Sequence, residues 1–154
     1  MNNAAVFQWR DFWTQELEVM ANIIDTNLKG TLFCTRLVLP YMLPRKRGRI
    51  INVASVAGIH GIPGQAAYCT SKHGMIGFAD ALAQELQPHG IKVTTICPGG
   101  IDTELWDPVH NPYPGDKEPL IKPEEMADLI EFLLTRPDST IYRRVILFPD
   151  NEWH

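Results

Sequence analysis

Residues 49–96 read RIINVASVAGIHGIPGQAAYCTSKHGMIGFADALAQELQPHGIKVTTI, and this stretch decides the fold. Arg49–Ala54 is a short apolar run that reads as a buried strand ending at Ser55. Residues 56–65 carry Gly58, Gly61, Pro63 and Gly64, a density of breakers that marks a loop. Residues 66–86 then take the helical period. Tyr68, Lys72, Met75, Ala79, Leu82 and Leu86 recur at intervals of three and four. Pro88 and Gly90 stop the helix. Ile91–Ile96 is rich in β-branched residues and reads as the next strand, closed by Pro98-Gly99-Gly100. A strand, a crossover helix and a second strand imply a parallel pair.

The flanks repeat the alternation. Residues 14–42 read as helix, with Leu17, Met20, Ile23, Ile24, Leu28 and Thr31 as the apolar stripe. A break is expected near Asn27, because Asn27 and Gly30 are poor helix formers. The basic run Arg45, Lys46, Arg47 and Arg49 reads as a solvated loop beside a helix C-terminus rather than a localisation signal. Residues 98–123 hold six of the twelve prolines, with Trp106 and Tyr113 among them. A segment this long and irregular reads as a lid or binding loop. A last helix starts near Pro123, with Met126, Leu129, Ile130, Leu133 and Leu134 on its stripe, and Arg144–Phe148 closes as a strand. The expected fold is α/β, the C-terminal half of a doubly wound parallel sheet with about three strands. Residues 1–154 form a single partial domain.

Composition bounds the function. The 154 residues are 45% hydrophobic and 21% charged, and the formal net charge is −4. Those values describe an ordinary folded chain and exclude the basic face of a general nucleic-acid binder. No apolar run reaches the roughly 18 residues of a membrane span. No signal peptide is visible in Met1–Arg10, so the expected location is cytoplasmic. Cys34, Cys69 and Cys97 are too few and too far apart for a disulfide framework or a zinc cage. No metal site is expected.

Tyr68 and Lys72 stand four apart on one helical face. An ammonium beside a phenol favours the phenolate and lowers the tyrosine pKa, which suits acid–base work near neutrality. The spacing alone is a weak signal, since Tyr68 packed in the core with Lys72 reaching to solvent would look the same. Ser55 strengthens it. Ser55 follows a strand at its carboxyl end, where parallel α/β sheets bind ligands. Pro98-Gly99 ends the neighbouring strand, and its glycine lets backbone approach a ligand closely. A nucleophilic hydrolase is disfavoured, because Ser55 lacks a Gly-x-Ser-x-Gly elbow and Cys69 stands where Ser-x-x-Lys would need serine.

Three motifs occur together: Asn52-Val53-Ala54-Ser55-Val56-Ala57-Gly58, Tyr68-Cys69-Thr70-Ser71-Lys72 and Cys97-Pro98-Gly99-Gly100-Ile101-Asp102-Thr103. With Asn27-Leu28-Lys29-Gly30 and Asn2-Asn3-Ala4-Ala5, they resemble the classical short-chain dehydrogenase/reductases over essentially the whole chain. Ala5 stands where that family usually has glycine.

The resemblance implies a Rossmann-type fold and NAD(P)-dependent interconversion of a carbonyl and a secondary alcohol. It implies four catalytic residues. Tyr68 is the acid or base, Ser55 binds the reacting oxygen, and Lys72 tunes Tyr68 and holds the nicotinamide ribose. Asn27 supports a proton relay through its main chain. It places Pro98, Gly99, Ile101 and Thr103 against the nicotinamide, and Asn2 and Ala4 beside the cofactor. NAD and NADP are not distinguished.

The family's Gly-x-x-x-Gly-x-Gly turn is not in this sequence, so the chain reads as an N-terminally truncated member with Arg49–Ala54 as an exposed edge strand. The alternative is a catalytically silent remnant serving as a dimerisation module. Leu105, Trp106 and Tyr113 are candidates for an apolar wall around a small-molecule substrate. The resemblance also implies a homo-oligomer formed through helices about 14–42 and 66–86, with Gly74 and Gly77 allowing close approach.

Overall fold

The computed structural model describes residues 1–107, 109, 111–150 and 152. Pro108 and His110, part of the proline-rich segment, lie outside the described residues. Elements run α1 (Leu17–Ile23), α2 (Gly30–Met42), β1 (Gly48–Val53), α3 (Ala66–Leu86), β2 (Ile91–Pro98), α4 (Pro123–Thr135) and β3 (Arg144–Leu147). The three strands form one parallel sheet in the order β1-β2-β3. The expected architecture is present, with ends displaced by a residue or two, as helix and strand termini usually are.

Alternation along the strands sorts the core into two layers. Ile50 and Val93 pack with Ala79, Leu82 and Leu86 of α3. Ile51, Val53 and Ile96 point to the other face and pack with Met126 and Leu133 of α4. Helices on both faces explain why β1 and β2 are buried almost throughout. Pro123 begins α4, and the Glu125 carboxylate accepts from the Lys122 N–H at 2.7 Å, closing the first turn. Gly90 links α3 to β2 with φ +68°, and a Cβ there would strike the Lys46 carbonyl. Both facts require glycine.

Four expectations change. The first long helix begins at Leu17, and Phe12–Thr14 is a separate 3-10 turn. The break near Asn27 is a π-helical turn, Ile24–Lys29, that joins α1 to α2 without interrupting the rod. The outer edge of β1 is partly covered. Asn2 N–H donates to the Ile51 carbonyl at 2.8 Å, and Val53 N–H donates to the Asn2 carbonyl at 2.9 Å. Gly74 is also used within the chain, since a Cβ there would meet the Leu28 side chain at 2.9 Å. Gly77 alone of the pair faces open space.

Candidate active site

The carboxyl ends of β1 and β2 open into a cleft of about 990 Å³. β1 delivers Ser55 to it. The Ser55 backbone is extended, and its hydroxyl accepts from the Ala57 N–H at 3.1 Å and donates to the Pro98 carbonyl at 3.4 Å. That carbonyl belongs to the end of β2, so the serine joins the two strand ends. The turn after Ser55 lies directly on α3. A Cβ at Gly58 would meet the Lys72 carbonyl at 2.8 Å and Ile76 Cδ1 at 2.7 Å. Glycine at 58 therefore sets how closely the serine turn and the Tyr68–Lys72 helix approach.

Tyr68 and Lys72 are both buried, and both line the cleft. Lys72 Nζ donates to the Val53 carbonyl at 3.0 Å and lies 5.5 Å from the Tyr68 ring centroid. Burial pushes the ammonium down to about 8, with the Cys97 thiol acting the other way. Burial pushes the Tyr68 phenol up to about 12, although the nearby Ser55 hydroxyl favours the phenolate. The expected lowering of Tyr68 by Lys72 is not found here. Desolvation disfavours phenolate, and the ammonium is held by a backbone carbonyl.

Asn27 does not reach the cleft. The π turn directs its side chain inward, fully buried. There the Asn27 Oδ1 accepts from the Val6 N–H at 2.8 Å, and Nδ2 donates to the Val6 carbonyl at 2.9 Å and Ser71 Oγ at 3.1 Å. The amide thus clamps the segment that carries Phe7. Its main-chain carbonyl accepts from Thr31 Oγ1 at 2.8 Å. Asn2 is likewise absent from the lining, and its amide donates to Thr35 Oγ1 and Asn52 Oδ1. Ala4, Pro98, Gly99, Ile101 and Thr103 do line the cleft.

The proline-rich segment closes at its base. Ile101 bridges Ile121, and the Lys122 ammonium pairs with Asp102 at 3.1 Å. Trp106 and Tyr113 line the cleft as expected. Phe7, Trp9 and Glu152 also line it and were not expected. Phe7 stacks edge-on against Tyr68 at 4.9 Å and against Trp106 at 5.1 Å. Asn111 fixes that segment by donating to the Phe7 carbonyl at 2.9 Å and accepting from the Trp9 N–H at 3.0 Å. The Val6-Phe7-Gln8-Trp9 alternation hinted at an extended segment with one apolar side. Nothing local marked Glu152.

The sequence model of the short chain dehydrogenase family matches residues 1–113. The chain belongs to that family. It is 40% identical to a 3-oxoacyl-[acyl-carrier-protein] reductase of Synechocystis, over 89% of this chain and 57% of that protein. It is 35% identical to the 3-oxoacyl-[acyl-carrier-protein] reductase FabG of Thermotoga maritima, over 95% of this chain and 62% of that protein. The chain therefore spans about 60% of the length of these relatives. Among solved structures, a 4-hydroxyisoleucine dehydrogenase mutant complexed with NADH and succinate superposes with a TM-score of 0.85. It is 26% identical and covers 96% of this chain and 65% of that one. A metagenomic short-chain oxidoreductase in complex with NADP superposes with a TM-score of 0.78. It is 29% identical and covers 98% of this chain and 61% of that one.

This family's fold implies a nicotinamide dinucleotide, and the residues present fit its nicotinamide end. Glycines at 99 and 100 let the β2 end pack closely: a Cβ on Gly99 would strike the Glu152 carboxylate, and Pro149 at 2.8 Å, and one on Gly100 would meet Glu152 Oε1 at 2.6 Å. Lys72 presents an ammonium, and Ile101 and Thr103 edge the same cleft.

Proposed function

We propose that this site interconverts a carbonyl and a secondary alcohol, with NAD or NADP as the redox partner. The observation that carries the reading is one cleft holding Ser55, Tyr68 and Lys72 beside the Pro98-Gly99 strand end. When bound, the nicotinamide supplies or accepts the hydride. Pro98, Gly99, Ile101 and Thr103 would hold its ring, Lys72 its ribose, and Ala4 would lie alongside.

The chain's own work is proton transfer and orientation. A phenol held up at about 12 is protonated at neutral pH, so Tyr68 enters reduction as the acid and gives its proton to the substrate oxygen. Ser55 donates a hydrogen bond to that oxygen and stabilises the charge growing on it. The Asn27 side chain fixes the wall that carries Phe7, and its main chain is the proposed support of a proton relay to Lys72.

The names of the relatives, 3-oxoacyl-[acyl-carrier-protein] reductases, support a ketone as substrate and reduction as the direction. The working form we propose is a cytosolic homo-oligomer. Its support is the α2 face, where Phe33, Leu37 and Tyr41 are 62%, 71% and 68% exposed. The same face would serve a silent dimerisation module, and turnover separates the two readings. NADPH and NADH consumption is followed against a panel of ketones, for the wild type and Tyr68→Phe. Consumption lost in the variant, at unchanged melting temperature, supports the enzyme. No consumption by either protein favours the module.

A further inference from the structure

The aromatic contacts that start at Tyr68 end on a carboxylate. Tyr68 touches Phe7, Phe7 touches Trp106, and Trp106 meets Tyr113 edge-on at 4.9 Å. The Tyr113 hydroxyl then donates to Glu152 Oε1 at 2.6 Å, while the Gly100 N–H donates to Oε2 at 2.9 Å. Two neutral donors fix the carboxylate inside the cleft, and among the described residues it makes no ion pair. Lys72 is the one cation among the described lining residues, and it is turned to the Val53 carbonyl. Asp102, also in the lining, is already paired with Lys122.

Aromatic faces, and a fixed carboxylate that makes no ion pair among the described residues, both attract positive charge. The carboxylate repels an anionic substrate, and the two together favour a cation over a neutral compound of the same shape. We infer that the substrate is a carbonyl compound bearing a positively charged nitrogen, an amino or quaternary-ammonium ketone, with Glu152 as the residue that selects the charge. This rests on the carbonyl chemistry proposed above and adds its substrate class.

The test is a binding titration that needs no turnover. Tryptophan fluorescence of the whole chain is followed with phenacyltrimethylammonium, its uncharged carbon isostere neopentyl phenyl ketone, and anionic benzoylacetate. The ammonium ketone is expected to bind about tenfold more tightly than the isostere, with benzoylacetate weakest. Glu152→Gln brings the cation-to-neutral ratio close to one. Tyr113→Phe, which frees one carboxylate oxygen, lowers the ratio and serves if the first variant misfolds.

Equal binding of the charged and uncharged ketones by the wild type overturns the inference. So does a ratio that survives both substitutions, or no binding of the ammonium ketone at millimolar concentration. A Glu152→Gln effect confined to NADP+ against NADPH would assign the carboxylate to the nicotinamide and also overturn it. A charge preference with no turnover of any ketone removes the proposed function and leaves this inference standing. Turnover with no charge preference does the reverse.

Discussion

Asn27→Ala is expected to cost stability out of proportion to the atoms it removes. The side chain is fully buried and makes three hydrogen bonds, two of them to the backbone of Val6. Ser71 keeps a partner, because its hydroxyl still donates to the Tyr68 carbonyl at 2.7 Å. Val6 loses an acceptor and a donor, at about 1 kcal/mol each. The void left by the amide adds about 1 kcal/mol more, since rigid helices limit collapse. The total is about 3 kcal/mol, or roughly 6–12 °C in melting temperature for a chain of this size.

Urea and thermal unfolding by circular dichroism measure it directly. Asn27→Asp gives a second arm. The new carboxylate keeps an acceptor for the Val6 N–H but faces the Val6 carbonyl and cannot donate to it. Its destabilisation is expected to be larger at pH 7 and to shrink as acid protonates it. A loss below about 0.5 kcal/mol for Asn27→Ala would refute the claim that the π turn exists to aim a structural clamp.

Further expectations concern packing and pH. Gly58→Ala drives a methyl into the Lys72 carbonyl. It should cost about 1–3 kcal/mol by urea titration and weaken cofactor binding, and a neutral result would mean the turn can move. Lys72 has a folded pKa near 8 against an ordinary 10.5. The unfolded chain therefore binds more protons between these values, and stability rises with pH across that window, by about 3–4 kcal/mol in all. Lys72→Met should flatten that rise. An identical pH profile for both proteins would contradict the burial argument. Asp138, exposed beside Arg49 and Lys92, is held below its ordinary value by Lys92 first and Arg49 second. Its contribution is present above the unfolded carboxyl range and lost as pH falls through the folded value. Asp138→Asn should thus melt slightly lower at pH 7, with the gap closing in acid.

The sequence spelled out the sheet because each strand carries its own signals. Residues 49–54 are a short apolar run and 91–96 a β-branched one, both bounded by breakers, and such runs survive into the structure with shifted ends. Ser55, Tyr68, Lys72 and the Pro98-Gly99 pair were legible for a related reason, since strand ends and helix spacing place them. Asn27 was legible as an irregularity but not as a clamp. Its partner, Val6, lies 21 residues away and bonds through backbone groups common to every residue. Glu152 was invisible because its role depends on Gly100 and Tyr113, which only the folded chain brings to it. The phenol's upward shift was missed because spacing reports which charges are near, whereas burial is a property of the whole core.

The central claim is that Lys72 and the β2 end form the nicotinamide side of a dinucleotide site. Titrating NADPH and NADH into the chain, with nicotinamide fluorescence as the signal, tests it most directly. The account expects saturable binding by the wild type and its loss in Lys72→Met. Binding unchanged in that variant, or absent from the wild type at millimolar cofactor, would contradict it.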